Sequence, residues 1–233
     1  MTAQTNLSPR GAIDPTWIAP HRTALCLIDL QTDFASPAGQ MAAWGADLSS
    51  VPHALSHCGK LLEGARASCV PVVFVRLETR PETDSRTWKE WMRRRDGEDD
   101  SVASLCRVGS RGADFYGLAP IHGEQVVAKS KYSAFYGTDF ERTLRRRGVD
   151  TLVFAGLTTE CCVDATVRDA FHRDFYCIVA SDACAAYEPA LHAHTLRVLE
   201  LNCALIASSD AIISSWCEGA RRAQGLIGRQ ANG

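Results

Sequence analysis

The sequence lacks the features that mark several large classes of protein. Its 233 residues contain no run of about 18 consecutive apolar residues, so no membrane-spanning helix is predicted. The first residues carry no charged-then-apolar signal pattern, and we therefore expect a cytoplasmic protein. Lysine and arginine number 25 against 27 aspartate and glutamate residues, so no overall basic charge favours nucleic-acid binding. No internal repeat or low-complexity segment is visible.

Cysteine is plentiful, with ten residues, but neither of its usual structural arrangements is present. There is no Cys-x-x-Cys or paired Cys/His spacing of the kind that binds zinc. Without an export signal, an even cysteine count does not indicate a disulfide framework. Most cysteines stand among apolar neighbours and are interpreted as small core residues; these include Cys26, Cys69, Cys177 and Cys203.

Short apolar segments alternate with segments of helical periodicity along the chain. The predicted strands are 23–29, 70–77, 125–129, 151–155, 176–180 and 203–208, and the predicted helices are 51–67, 138–147, 162–173 and 189–202. This alternation implies right-handed crossovers between parallel strands. We therefore predict an α/β fold, a three-layer αβα architecture with a central, mostly parallel sheet. Residues 1–20 are predicted to form an N-terminal arm, and residues 21–233 a single domain.

The polar stretch 78–115 is too long for a plain connector. It contains Trp88 and Trp91, and we expect it to form either a lid or a contact between subunits. The protein is accordingly expected to be a homo-oligomer, either a dimer or a tetramer.

The most informative stretch of the chain runs from Ala155 to Ala170 and places Cys162 at the start of a predicted helix that follows a predicted strand. Free backbone N–H groups and the positive end of the helix dipole would lower the pKa of a thiol there. The same N–H groups could hold an oxyanion. Cys161 is the competing nucleophile, and a disulfide between the two neighbours is the structural alternative.

Two other predicted strands end in ionisable residues, Asp29 and Lys129. Each has an ordinary interpretation, since an isolated aspartate often caps a turn and a lysine at a strand end is commonly exposed. Cys162 alone could be a core thiol. Parallel strands, however, bring their carboxyl ends to one crevice. The three residues together supply a nucleophile, a proton acceptor and a cation that favours the thiolate.

Three motifs at these positions resemble those of the isochorismatase-like cysteine hydrolases. They are the Asp29 segment, Lys129 in Lys-x-Lys-Tyr-Ser-Ala-Phe, and Gly-x-Thr-Thr-x-x-Cys-Val followed by Thr-x-Arg-Asp-Ala. The resemblance extends over roughly residues 23 to 215 and is closest to the biuret, triuret and ureidoacrylate amidohydrolase branch. The Cys-Val order of the motif favours Cys162 over Cys161 as the nucleophile.

The resemblance implies a mechanism. Asp29 would accept the Cys162 proton, and Lys129 would stabilise the thiolate and keep Asp29 ionised. The backbone N–H groups of Thr158 and Cys162 would form the oxyanion hole, with a cis Leu157–Thr158 peptide. Asp29 would then protonate the departing nitrogen and activate water against a thioester.

The substrate is inferred mostly from absences relative to the family. The segment 75–82 has no histidine, whereas nicotinamidases carry an Asp/His metal cluster there, so we expect no metal site and no cofactor. True isochorismatases characteristically lack the nucleophilic cysteine. The resemblance therefore implies metal-independent cleavage of a C–N bond in a small linear ureido or carbamoyl compound, of biuret or triuret type, with release of ammonia.

Several alternatives remain open. The substrate could be an N-carbamoyl amino acid or ureidoacrylate, or the protein could still be a nicotinamidase or an isochorismatase. Outside this chemistry, it could be a thiol redox protein using Cys161 and Cys162, or a catalytically silent scaffold of the same fold. The candidates for binding the substrate, each of which could instead be an ordinary structural residue, are Phe34, Tyr132, Trp88, Trp91 and Asn202.

Overall fold

A six-stranded sheet forms the centre of the molecule. The computed structural model describes residues 13, 16–96 and 105–230. The strands are β1 (Thr23–Ile28), β2 (Val72–Leu77), β3 (Gln125–Lys129), β4 (Thr151–Leu157), β5 (Tyr176–Ala185) and β6 (Leu205–Ala207). They pair in the order β3-β2-β1-β4-β5-β6, and every pairing in this sheet is parallel. The predicted α/β fold with a parallel sheet is confirmed.

Helices cover both faces of the sheet. They are α1 (Thr32–Ala35), α2 (Gln40–Ala43), α3 (Val51–Ala67), α4 (Arg86–Asp96), α5 (Phe140–Arg146), α6 (Asp164–Phe171), α7 (Pro189–Asn202) and α8 (Ser209–Gln230). Short 3₁₀ turns occupy Pro20–Arg22, Pro81–Thr83 and Arg111–Ala113, and a π-helical turn occupies Thr159–Val163. None of the helices in the described ranges is both long and apolar enough to cross a membrane.

The alternation of side chains along the strands separates two apolar cores. Leu25 and Leu27 of β1 face the core formed with α3 and α8, whereas Cys26 and Ile28 face the core formed with α5, α6 and α7. All six residues of β1 are buried, as expected of a strand covered by helices on both faces. This arrangement is the three-layer αβα architecture predicted from the sequence.

Element boundaries differ from the prediction in several places. The predicted helix 162–173 is divided into the π-helical turn Thr159–Val163 and α6, and β5 extends to Ala185 rather than ending at 180. Helix α8 was not predicted, although it buries Ile212 and Trp216 against α3 and β5. Cys69 is exposed rather than a core residue, because the chain turns there with a φ of 57° immediately after α3.

The predicted arm, residues 1–20, lies mostly outside the described residues. Of the part that is described, Ile18 is fully buried and Trp17 stacks on Tyr176 with ring centroids 5.0 Å apart. The Thr151 hydroxyl also donates a hydrogen bond to the Trp17 carbonyl. The chain just before β1 is therefore packed against the domain.

The carboxyl ends of β1, β3 and β4 lie at the same edge of the sheet, the usual location of ligand sites in α/β proteins. Gly156 permits β4 to approach β1 closely at this edge. Its φ is +123°, and an added Cβ atom would lie 2.1 Å from the Ile28 carbonyl oxygen. Only glycine fits there, and the close approach places Leu157 and Thr158 beside the end of β1.

Candidate active site

The three residues predicted to carry the chemistry converge in one buried cluster. Lys129 Nζ donates hydrogen bonds to Asp29 Oδ2 at 2.8 Å, to Cys162 Sγ at 3.3 Å and to the Lys131 carbonyl oxygen at 3.1 Å. The side chains of Lys129 and Asp29 are 0% and 1% exposed, and Cys162 is 6% exposed. The ordinary interpretation of Lys129 as an exposed residue at a strand end is wrong.

One of the two carboxylate oxygens of Asp29 is available to accept a proton or a hydrogen bond. Asp29 directly follows β1 with a φ of 50°, and its backbone N–H donates to the Val75 carbonyl at 2.9 Å. With Oδ2 held by Lys129, the buried Oδ1 atom has no hydrogen-bond partner among the described residues. A buried oxygen without a partner can accept a proton or a hydrogen bond from a ligand.

The pKa values of Lys129 and Cys162 are both raised, but for different reasons. Burial alone lowers the pKa of Lys129, but the charges of Asp29 and Cys162 outweigh it and leave that pKa raised, so the ammonium keeps its proton. The hydrogen bond with the Cys161 side chain, burial and the negative charge of Asp29 raise the pKa of Cys162 well above its ordinary value. Lys129 acts in the opposite direction and lowers it.

The low thiol pKa expected from the start of a helix is therefore not found. Cys162 lies in the π-helical turn that precedes α6, and its buried surroundings include a second thiol and a carboxylate. The neighbouring thiol and the negative charge of Asp29 thus disfavour the thiolate, whereas the Lys129 ammonium favours it. Ionisation then requires a base, and the partner-free Asp29 Oδ1 atom is the candidate.

Gln31 and Asp33, which sequence analysis did not single out, fasten the loops around Asp29. The Gln31 side chain donates to the Leu77 and Ala113 carbonyls, each at 2.9 Å, and accepts a hydrogen bond from the Leu77 N–H at 2.8 Å. Asp33 accepts hydrogen bonds from the backbone N–H groups of Cys106 and Gln40. Both residues are buried, so these bonds hold the ends of β1 and β2 in fixed register.

Two residues of α6 connect Cys162 to the loop that follows Lys129. The Thr166 hydroxyl donates to the Cys162 carbonyl at 2.7 Å and accepts from the Ala134 N–H at 3.2 Å. Asp169 accepts a hydrogen bond from the Ser133 hydroxyl. The motif residues after Cys162 thus set the position of the turn that carries the thiol relative to the strand that carries the amine.

The expected cis peptide between Leu157 and Thr158 is present. Thr158 is 8% exposed, and its carbonyl accepts hydrogen bonds from the N–H groups of Cys161 and Val163, each at 3.1 Å. The two residues assigned to an oxyanion hole, Thr158 and Cys162, therefore belong to one compact turn.

Three of the predicted substrate-binding aromatics line one cleft. Trp88 packs edge-on against Tyr132 with centroids 5.9 Å apart, and Trp91 lines the same cleft. The cleft has a volume of about 320 Å³ and is lined in part by Lys131, whose carbonyl accepts a hydrogen bond from the Lys129 amine. Phe34 lies in the apolar core against which Trp88 packs, and it is 8% exposed.

The structure does not bring Asn202 to this site. Asn202 is the last residue of α7, is exposed, and donates to the Val198 carbonyl of its own helix. It precedes the amino end of β6, whereas the cluster lies at the carboxyl ends of the parallel strands. The sequence interpretation failed because it assigned Asn202 to the start of the last strand rather than to the end of a helix.

Glu160 and Tyr187 were not anticipated at the site. Burial raises the pKa of Glu160, and its Oε2 atom is buried with no hydrogen-bond partner among the described residues. Burial also raises the pKa of Tyr187, followed by the negative charges of Glu160, Cys162 and Asp29. The Tyr187 hydroxyl donates to the Phe34 carbonyl at 2.9 Å. Glu160 occupies a variable position of the Thr-Thr-x-x-Cys motif, so the motif did not indicate a role for it. No sequence pattern marks Tyr187.

The ten cysteines are free thiols, so Cys161 and Cys162 are not joined by a disulfide. Within the described ranges, no group of three or more His, Cys, Asp or Glu residues is placed to hold a metal ion. In the segment after β2, Glu78 instead forms ion pairs with Arg76 at 3.1 Å and Arg80 at 3.0 Å.

Comparisons with known proteins agree with this architecture. The isochorismatase domain family matches residues 23–211. Ureidoacrylate amidohydrolase RutB of Methylobacterium radiotolerans is 32% identical over 197 residues, which are 80% of this chain and 76% of that protein.

Two crystal structures show the same fold. A cysteine hydrolase from Pseudomonas syringae pv. phaseolicola superposes with a TM-score of 0.76 and 26% identity, covering 90% of this chain and 97% of the other. N-carbamoylsarcosine amidase from Thermoplasma acidophilum superposes with a TM-score of 0.64 and 30% identity, covering 81% and 97%. By its sequence, its sheet topology and these relatives, the chain belongs to the isochorismatase family of hydrolases.

Proposed function

We propose that this protein is a cysteine amidohydrolase that cleaves the terminal C–N bond of a small linear ureido or carbamoyl compound and releases ammonia. One observation carries the proposal. A buried ammonium, Lys129 Nζ, is hydrogen-bonded both to Asp29 Oδ2 and to Cys162 Sγ, and Asp29 Oδ1 has no partner among the described residues. This arrangement supplies a nucleophile, a base and a fixed cation within one water-poor cluster.

The first half of the reaction forms a covalent intermediate. Asp29 Oδ1 takes the proton from Cys162 Sγ, and the sulfur attacks the carbamoyl carbon. Lys129 stabilises the thiolate during this step because its charge lies 3.3 Å from the sulfur. The backbone N–H groups of Thr158 and Cys162 stabilise the oxyanion. Asp29 returns the proton to the terminal nitrogen, the C–N bond breaks, and ammonia leaves.

The second half regenerates the enzyme. Asp29, again ionised, removes a proton from water, and the resulting hydroxide attacks the carbonyl carbon of the Cys162 thioester. The S–C bond breaks, and the sulfur recovers its proton from Asp29. The product is the carbamate of the remaining amine. Lys129 remains charged throughout, as its raised pKa requires.

The class of substrate is supported by the relatives and by the cleft. The names of two similar proteins, ureidoacrylate amidohydrolase and N-carbamoylsarcosine amidase, both specify carbamoyl-bearing substrates. The cleft beside Lys131 has aromatic walls and a volume of about 320 Å³, which suits a small planar group. Biuret and triuret belong to this chemical class, as do N-carbamoyl amino acids and ureidoacrylate.

Ammonia release from a panel of substrates tests the proposal. The panel contains biuret, triuret, ureidoacrylate, N-carbamoyl amino acids and nicotinamide, each incubated with the wild-type protein and with Cys162→Ser. We expect the wild type to release ammonia from at least one ureido compound and not from nicotinamide. A folded wild-type protein that is active only on nicotinamide, or inactive on every ureido compound, would contradict the proposal.

A further inference from the structure

Among the residues that the structure describes, the cleft next to the cluster of Asp29, Lys129 and Cys162 is lined by one charged side chain, the positive Lys131. Its lining residues are Ser85, Thr87, Trp88, Trp91, Lys131 and Tyr132, and none of them is acidic. Lys131 has no ion-pair partner among the residues that the structure describes. An uncompensated ammonium in an aromatic cleft attracts anions.

A second hydrogen-bond donor accompanies Lys131. The indole N–H of Trp88 is buried and has no acceptor within the described part of the chain. Buried N–H groups are nearly always hydrogen-bonded in folded proteins, so this donor, which belongs to a residue that lines the cleft, lacks an acceptor. A carboxylate offers the acceptor oxygens that both donors lack.

Residue 131 connects the cleft to the cluster of Asp29, Lys129 and Cys162. Lys129 Nζ donates to the Lys131 carbonyl at 3.1 Å, so residue 131 contacts the catalytic amine through its backbone and lines the cleft with its side chain. A substrate whose carbamoyl group reaches Cys162 would therefore extend its other substituent toward Lys131.

We propose that the cleft binds a carboxylate on the substrate, with Lys131 as the principal donor and Trp88 Nε1 as the second. Since it rests on the proposed function, this inference narrows the substrate class to anionic ureido acids. Neutral biuret and triuret offer only uncharged carbonyl oxygens to these donors, which form weaker hydrogen bonds than a carboxylate does, and would be poorer substrates.

Two compounds of nearly the same shape separate the effect of charge from that of size. N-carbamoylglycine carries a carboxylate, and N-carbamoylglycine N-methylamide carries a neutral amide that cannot itself release ammonia. For the wild type, we expect kcat/KM for the carboxylate to exceed that for the amide by about tenfold or more, since hydrogen bonds to charged groups are the strong ones.

Lys131→Met should bring this ratio close to one, chiefly by raising KM for the carboxylate, whereas Lys131→Arg should keep the preference. Trp88→Phe, which removes only the N–H donor, should lower the ratio by a smaller factor. Lys60→Met is the matched control, because Lys60 is an exposed lysine of α3 and its loss removes one positive charge elsewhere. The control should leave the ratio at its wild-type value.

The outcomes distinguish the two proposals. If the folded wild-type protein releases ammonia from neither compound and from no ureido compound of the panel, the proposed function fails and this inference fails with it. If it hydrolyses biuret or triuret but no carboxylate-bearing ureido compound, only the assignment of the cleft is overturned. If both compounds are hydrolysed but the wild type shows no preference for the carboxylate, only the assignment of the cleft is overturned. The same holds if Lys131→Met and Lys60→Met change the ratio equally.

Discussion

Replacing Lys129 with methionine should slow the alkylation of Cys162 by iodoacetamide. Methionine fills a similar volume without the charge, so the change removes the cation that lies 3.3 Å from the sulfur. The Cys161→Ser background is preferable for both proteins, because Cys161 is a partly exposed thiol adjacent to the one being measured.

The expected size of the effect follows from the charge removed. At an effective dielectric constant of about 20, unit charges about 4 Å apart interact by about 4 kcal/mol, which corresponds to about three pKa units. We therefore expect the pKa of Cys162 to rise by at least about one unit, a fall in alkylation rate of about tenfold or more.

The assay compares two thiols within each sample. Alkylation is followed by peptide mass spectrometry from about pH 6.5 to 9, a range that lies below the raised pKa of Cys162. Cys69 is exposed and serves as the internal reference for reagent and pH. At each pH, the alkylation rate of Cys162 relative to that of Cys69 should be lower in the Lys129→Met protein than in the protein that retains Lys129.

Folding must be monitored in the same samples. Removing one member of a buried ion pair typically costs about 3–5 kcal/mol, because the other charge is left unpaired. The double variant Asp29→Asn, Lys129→Met removes both charges and should recover part of the lost unfolding free energy. If folded Lys129→Met alkylates at the wild-type rate relative to Cys69, Lys129 does not influence the thiol and our reasoning is wrong.

Three further predictions concern the base, Glu160 and metal ions. Asp29→Asn should abolish ammonia release and leave no acylated Cys162 in intact-mass measurements, since no base remains to ionise the thiol; normal acylation would exclude Asp29 as the base. Burial raises the pKa of Glu160, so its ionisation destabilises the folded state as pH rises above about 4.3, the ordinary glutamate pKa. Glu160→Gln should therefore raise the thermal midpoint at pH 7 but not at about pH 4, and an equal gain at both would rule out ionisation as its cause. Dialysis against EDTA should leave ammonia release unchanged while N-ethylmaleimide abolishes it, and loss in EDTA with recovery in zinc would point instead toward a metal-assisted amidase.

Much of the architecture was predictable because it depends on patterns that span many residues. The alternation of apolar and helical segments predicted the parallel sheet, and strand ends occupied by Asp29 and Lys129 predicted that these side chains would meet. Helix α8 lies beyond the last predicted strand and was not predicted.

Properties that depend on three-dimensional surroundings were not predictable. The start of a helix predicted a low pKa for Cys162, but the combined effect of Cys161, burial and Asp29 raises it. Asn202 was assigned to the wrong element, and Gln31 and Asp33 act through contacts with loops distant in sequence. Contacts between residues that are distant in sequence cannot be predicted from local sequence.

The proposed mechanism depends above all on Cys162 as the nucleophile, and the most direct measurement compares Cys162→Ser with Cys161→Ser in ammonia release from the best ureido substrate. Cys162→Ser should fold normally and lose activity by on the order of a thousandfold or more, because a hydroxyl is far harder to ionise than a thiol. Cys161→Ser should retain most activity. Loss of activity in Cys161→Ser but not in Cys162→Ser, or full activity in Cys162→Ser, would show that Cys162 is not the nucleophile.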